Sequence, residues 1–347
     1  MSVTSKEFGK LASGEMVTCY TLSNGSMSVN VLDYGCIIQS ICVPDREGKP
    51  VDVALGYDTA ADYEKGTCFY GAFVGRYANR IAKSRFVLNG ETIRLTPNEG
   101  ENHLHGVLPR SLFSVETGEN TLTFRRTSPA GEEGYPGALE IVVNYTLTED
   151  NGLVLDYQVV SDADTVLNLT NHTYFNLSGH NSGGVEKQVL RLAASKVTAI
   201  GAGSIPTGAL FDVEGTPFDF RTAKPIGQDI EEEDEQLARG GGYDHNFVLD
   251  TSGLEEAFAS AYSDETGIRM DCFTTQPGVQ LYTANFVQED VCRGRGKGGA
   301  DYGKRSAFCL ETQHFPDSPN HPEFPSVVLR AGEQYHQVTV YRFSAEH

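Results

Sequence analysis

The stretch Leu167 to Gly179, LNLTNHTYFNLSG, sets one histidine among asparagines, threonines and a tyrosine. Such groups can move protons and hold hydroxyls. Imidazole titrates closest to neutrality of the ordinary side chains, so it serves as acid or base with little adjustment. The alternation predicts a strand with Leu167, Leu169, Asn171, Thr173 and Phe175 on one face and Asn168, Thr170, His172, Tyr174 and Asn176 on the other. One face is fit to pack a core, and the other surrounds His172 with donors and acceptors. A solvent face would more often carry lysine or glutamate, and the plain alternative is a hydrogen-bonded structural histidine.

Carboxylates sit in similar settings. In RSAFCLETQHF, Phe308 and Leu310 share one face while Glu311 and Gln313 share the other, beside Cys309. In PGVQLYTANF, Gln280 and Tyr282 lie opposite Val279 and Leu281, and in GGYDHNFVLD a glycine turn delivers Asp244 and His245 to the start of a strand. A lone Glu or Asp in such a place is usually a surface or ion-pair residue. The glycine-dotted segment Phe69 to Ile81 brings Arg76, Asn79 and Arg80 close together.

These groups need strands to hold them. Alternating runs punctuated by Gly and Asp recur as MSVNVLDYG, CIIQSICVPD with a turn at Arg46-Glu47-Gly48, and VDVALGYD. SRFVLNGETIRL reads as a hairpin with Asn89-Gly90 at its turn. Longer strands follow in NTLTFRRTS, LEIVVNYTLT and GLVLDYQVVSD, and alternation returns in GVQLYTANFV, RSAFCLETQHF and QYHQVTVYRF. Ala60 to Lys65 suits a single helical turn. No helix-length amphipathic segment separates the strands, so the expected class is all-β: a large antiparallel β-sandwich with few short helices. The acidic run Asp229 to Glu235 reads as a solvated turn, and RGRGKGG, Arg293 to Gly299, as a mobile surface loop. The latter is one short copy in an acidic chain, and Gly298 stands where a phosphate-binding P-loop needs Ser or Thr.

The 347 residues carry a formal charge of -20, which excludes a general nucleic-acid binder resting on Lys and Arg. MSVTSKEFGKLASGEM lacks the apolar core of a signal peptide, and no uncharged apolar run is long enough to span a bilayer. A cytoplasmic protein without membrane contact is expected. Seven scattered cysteines, none in C-x-x-C spacing, indicate reduced thiols rather than a disulfide framework or zinc site. His103 and His105 form an H-x-H pair with no third ligand at recognisable spacing, so no metal is assigned. Without a composition shift to mark a boundary, residues 1–347 read as a single domain. The sequence sets no oligomeric state.

VTCYTLSNG, LDYGCIIQSICVPD, VGRYANRIAKSRFVLNG, ENHLHG, LNLTNHTYFNLSGH, YDHNFVL, QPGVQLYTANF and FCLETQHFPDSPNHPEFPSVVLRAGEQY together resemble the aldose 1-epimerase (galactose mutarotase) family, nearly end to end. NHTYFNL and CLETQHFPD are the specific matches. The resemblance implies one large β-sandwich domain with an open cleft that interconverts the anomers of aldoses such as galactose and glucose, without cofactor or metal. By resemblance, Glu311 matches the general base at the C1 hydroxyl, His172 the general acid at the ring oxygen, and His105 a second histidine near that oxygen. Asn79, Arg80, Asp244 and Gln280 match residues that hold the sugar hydroxyls, while Tyr174 joins the cleft by its periodicity with His172. The family often reads LHGG where this chain has LHG followed by Val107, so the loop beside the sugar is expected to differ.

Opening a hemiacetal ring removes a proton from O1 and adds one to O5, which one base and one acid accomplish. An ionised Glu311 and a charged His172 would suit that chemistry. Rival readings are a glycosidase using Asp244 and Glu311, a hexose-6-phosphate epimerase using Arg76, Arg80 and Arg110 at the phosphate, and a sugar-binding protein of the same fold without turnover.

Overall fold

Strands whose alternate residues are apolar pair where the pattern predicts. Leu139–Leu147 is buried at every second position, and it lies between Thr121–Ser128 and Gly152–Ser161 in antiparallel register. These three belong to a nine-stranded sheet in a computed structural model that describes residues 1–251 and 253–346. Gln334–Ala345 continues that sheet beside Gly152–Ser161, followed by Ile268–Thr274, Ala259–Tyr262, Val189–Leu192 and Lys224–Pro225. A six-stranded sheet runs Tyr174–Phe175, Phe308–Gln313, Gly278–Tyr282, Asp244–Leu249, Ala194–Ile200 and Pro206–Asp212. A five-stranded sheet is made from the first 52 residues. One core cluster joins all three, with Val29 and Ile41, Phe124 and Tyr145, and Phe175, Leu281 and Leu310 among its members. The architecture is the layered antiparallel β fold the sequence implied, with short helices at Ala60–Lys65 and Glu235–Gly240.

The six-stranded sheet sorts its side chains by face. Phe308 and Leu310 enter the core, and burying such side chains contributes about 1.5–3 kcal/mol each. That anchors the register, because a slip of one residue would put Glu311 into the core. Leu281 faces Leu310 across the ladder, and Gln280 faces Glu311.

Leu167 to Gly179 departs from the expected strand. It is broken into short pieces with different partners: Thr165–Val166 pairs with Val328–Leu329, Thr170–Asn171 with Phe73–Val74, and Tyr174–Phe175 with Phe308–Gln313. Every residue from Thr165 to Leu177 is buried, on both faces. The asparagines explain how a polar segment tolerates this. Asn168 accepts from His314 N–H, Asn171 accepts from Thr173 N–H, and Asn176 donates to the carbonyls of Gly183 and Ser306. These amides satisfy main-chain groups that a broken ladder leaves over.

The basic loop is also not the mobile segment expected from its composition. Lys297 is 6% exposed, donating to the carbonyl of Gln39 and pairing with Asp52 at 2.6 Å. Arg295 pairs with Asp62 and Arg293 with Asp301. Three cations that would repel one another in solution are each tied to a carboxylate. The acidic run is partly structural as well, since Asp234 caps the helix Glu235–Gly240 by accepting from Gln236 and Leu237 N–H.

Replacing Lys297 by Met is expected to destabilise the protein by about 2–3 kcal/mol, since Asp52 loses a buried cation partner. Urea denaturation measures this, and an unchanged midpoint would mean the loop is not anchored through that pair.

Candidate active site

Several strands and loops converge on one cleft of about 280 Å³, close to the lower end of the roughly 300–1,000 Å³ usual for small-molecule sites. Asn79, Arg80, His105, His172, Tyr174, Asp244 and Glu311, all singled out from the sequence, line it together. Gln280 does not line it. Its amide donates to Asp244 at 2.8 Å, so it acts on the cleft through that carboxylate. His245, one residue on, points to the opposite face and packs edge-on against Phe218.

Glu311 stands on the cleft face of its strand and is 2% exposed. His172 reaches it from the broken segment, with Nε2 3.6 Å from Glu311 Oε1. The alternation that places Tyr174 beside His172 holds locally: the two rings stack at 4.8 Å with 10° between planes. Phe69 lies near-parallel to His172 at 6.3 Å and edge-on to His105 at 5.1 Å. The imidazole is thus confined between aromatic faces.

Three cleft residues take left-handed backbone: Phe69 at φ 55°, Asn79 at φ 65° and His105 at φ 61°. Such conformations cost of order 1–2 kcal/mol for non-glycine residues and gather at functional sites. The turn at Asn79 lets its main-chain N–H donate to His105 Nδ1 at 3.2 Å. With Nδ1 accepting, the ring carries its hydrogen on Nε2, so His105 offers a donor to the cleft. This bears on metal binding. His105, His172 and Glu311 have ligand atoms within 4.8 Å of one another. A metal-binding imidazole donates from its other nitrogen, whereas that nitrogen of His105 accepts a main-chain hydrogen bond, so the set does not fit a metal ion.

Arg80 is held by Glu99, with Nε at 2.8 Å and an Nη at 2.6 Å from the carboxylate. Arg76 lies away from the cleft, fully buried, where it donates to Ser128 and to the carbonyls of Pro129 and Gly137. Its closeness to Arg80 in sequence therefore does not make a basic cluster. Arg110 donates to the carbonyl of Gly66 and covers the Phe69 ring. Sequence reasoning missed Thr67, Cys68, Phe69, Phe286 and Glu289 as cleft residues. They stand on irregular segments, where no periodicity signals a shared face. Tyr282, which also lines the cleft, was readable from its alternation with Gln280.

Burial disfavours charge on both members of the central pair. It raises the Glu311 carboxyl well above the usual range, helped by Asp244 and opposed by Arg80, and lowers His172 to about 3. Burial thus favours the neutral form of each, a protonated carboxyl and an uncharged imidazole. This reverses the charge state expected from mutual attraction alone, because desolvation outweighs it. Burial also pushes Asp244 up, against the pull of Arg80 and Gln280, and holds His105 well below its ordinary value.

A buried carboxyl–imidazole pair among hydroxyl-binding groups, on an antiparallel β framework, is the equipment of an acid–base enzyme. The chain belongs to the aldose 1-epimerase family, whose model matches residues 18–342. It is 40% identical to a galactose mutarotase of Rattus norvegicus over 99% of both chains, and 36% identical to an aldose 1-epimerase of Escherichia coli strain K12 over 93% of this chain and 94% of that one. Among solved structures it resembles an aldose epimerase homologue from C. elegans, with TM-score 0.86 and 30% identity over 94% of this chain and 98% of that one. A galactose 1-epimerase from Lactobacillus acidophilus aligns over 100% of both chains with TM-score 0.86 and 25% identity.

The imidazoles of His172 and His245, both lowered from 6.5 to about 3 by burial, are expected to keep neutral NMR shifts in the free protein down to about pH 5. Each binds a proton less tightly folded than unfolded, so its contribution to stability is present above about pH 6.5 and is lost as pH falls toward about 3. Titration of either ring near its ordinary value would contradict the burial argument.

Proposed function

We propose that this chain, acting as one domain over residues 1–347, interconverts the α and β anomers of free aldohexoses such as galactose and glucose. The observation that carries the reading is the 3.6 Å approach of His172 Nε2 to Glu311 Oε1 inside a cleft lined with hydroxyl-binding groups. The residue roles are those the family resemblance implies. Glu311, as carboxylate, takes the proton from O1 while His172, as imidazolium, delivers one to O5. The C1–O5 bond breaks, O1 becomes a carbonyl oxygen, and rotation about C1–C2 presents the other face. Reclosure returns both protons by the reverse path.

Burial opposes that charge state and favours the proton on Glu311, so sugar binding has to move it to His172. The move leaves the net charge unchanged, so a bound sugar can induce it without proton exchange with solvent. Sugar hydroxyls that hydrogen-bond the carboxylate favour its ionised form. In this reading His105, donating from Nε2, steadies the ring oxygen, and Asn79, Arg80 and Asp244 hold hydroxyls, with Gln280 orienting Asp244; their shared cleft and the Gln280–Asp244 hydrogen bond support it. General acid and base groups are worth typically ~10²–10⁴-fold in rate.

A neutral sugar fits this cleft better than a phosphorylated one. The cleft contains carboxylates at Asp244, Glu289 and Glu311, and its cation Arg80 is already paired with Glu99. Arg76 and Arg110 make main-chain contacts elsewhere. The seven free cysteines suit a reducing compartment, which supports a cytoplasmic location. Among the described residues no helix is long and apolar enough to cross a membrane.

Polarimetry on fresh α-D-galactose and α-D-glucose tests the reading. Faster relaxation is expected with the wild-type protein, with Glu311→Gln and His172→Asn each losing about 10²-fold or more. Arg80→Ala is expected to raise KM roughly tenfold, as one charge-assisted contact is lost. Glucose 6-phosphate should relax at its uncatalysed rate; acceleration there but not with glucose would overturn the substrate assignment.

A further inference from the structure

His105 stands on a loop with an unfavourable backbone. His105 and Gly106 are both left-handed, at φ 61° and 66°, and a Cβ on Gly106 would lie 2.3 Å from the carbonyl oxygen of Gly75. Something must hold this turn closed against that strain. His105 N–H donates to the Asn79 carbonyl, and Leu108 N–H to that of Gly75 at 3.3 Å. Between them, Val107 N–H donates at 2.8 Å to a carboxylate oxygen of Glu133, a residue distant in sequence on the connection between strands Thr121–Ser128 and Leu139–Leu147.

Glu133 is itself fixed in place. Its own backbone is left-handed at φ 53°, and its carbonyl accepts from Thr96 N–H. The same carboxylate oxygen lies 4.0 Å from His103 Nε2, a buried nitrogen without a hydrogen-bond partner. His103 Nδ1 meets the carbonyl of Thr96, so Nε2 is an acceptor facing Glu133.

We propose that Glu133 is a positioning residue for catalysis: by accepting the Val107 N–H it holds the His105 turn in the left-handed conformation that aims the imidazole into the cleft. The proposal rests on the mutarotase reading and on His105 serving the ring oxygen. The residue that Glu133 captures, Val107, stands where the family often carries glycine. Val107 is right-handed, at φ -93° and ψ -19°, and its amide is the group Glu133 captures. Burial raises the Glu133 carboxyl to about 7, with Glu132 adding to the rise and the Val107 N–H, Arg76 and Arg126 opposing it. Both protonation states keep an oxygen for Val107. The clamp therefore operates across neutral pH.

The test compares Glu133→Ala with Glu133→Gln, which retains an acceptor oxygen. Three readouts are polarimetric kcat and KM on α-D-galactose, thermal midpoint, and amide exchange of the peptide spanning residues 103–108. Glu133→Ala is expected to lose about 10–100-fold in kcat, as a misplaced catalytic group does, with KM changed less than about threefold and faster exchange in the loop. Glu133→Gln should recover kcat to within about threefold of wild type. Wild-type kcat in Glu133→Ala would overturn the proposal, as would equal losses in both variants with loop exchange unchanged. Failure of the wild-type protein to accelerate mutarotation would instead defeat the functional reading, and the exchange measurement would still report on the clamp.

Discussion

A carboxyl group and an imidazole buried side by side, 3.6 Å apart, are expensive to keep, and the fold is arranged around that cost. An isolated charge taken from water is penalised by several kcal/mol even after relaxation. For the pair Glu311 and His172, burial favours the neutral form of each, which lessens this penalty. What fixes the pair in space is apolar. Phe308 and Leu310 lock the register of one strand from its core side, and Phe69 and Tyr174 confine the imidazole from either face. The polar chemistry is therefore positioned by packing, with hydrogen bonds setting tautomer and orientation.

Backbone strain is distributed in the same neighbourhood. Phe69, Asn79, His105 and Glu133 are all left-handed, and each is pinned by contacts from another part of the chain. Asn79 donates to His105, Glu133 accepts from the residue after Gly106, and Phe69 packs edge-on against His105. Such turns persist only where the surroundings over-determine them. The cleft wall is thus a set of mutually braced turns mounted on a rigid sheet.

Much of this was legible in the sequence, for a definable reason. Where a strand has one core face and one polar face, period-two alternation identifies both, and Glu311 and Gln280 were readable on that basis, while the glycine turn before its strand marked Asp244. The helix at Ala60–Lys65 and the Asn89-Gly90 hairpin also stand where local signals put them. Alternation failed at Leu167–Gly179 because both faces are buried, and the asparagines serve main-chain groups instead of solvent or ligand. Composition misled at Arg293–Gly299, where two of the charges meet partners far away in the chain: Lys297 finds Asp52, and Arg295 finds Asp62. Long-range ion pairs and irregular cleft segments such as Thr67–Phe69 leave no periodic trace.

The order of strands in the nine-stranded sheet has a consequence for how the protein is made. Gln334–Ala345 lies between Gly152–Ser161 and Ile268–Thr274, although it leaves the ribosome long after both. Until it emerges, each of those strands presents an unsatisfied edge to its surroundings, and open edges invite pairing with other chains. Completion of the sheet must wait for contacts distant in sequence, which slows folding and prolongs exposure. The nascent polypeptide is thus open to self-association along these two edges until Gln334–Ala345 is in place.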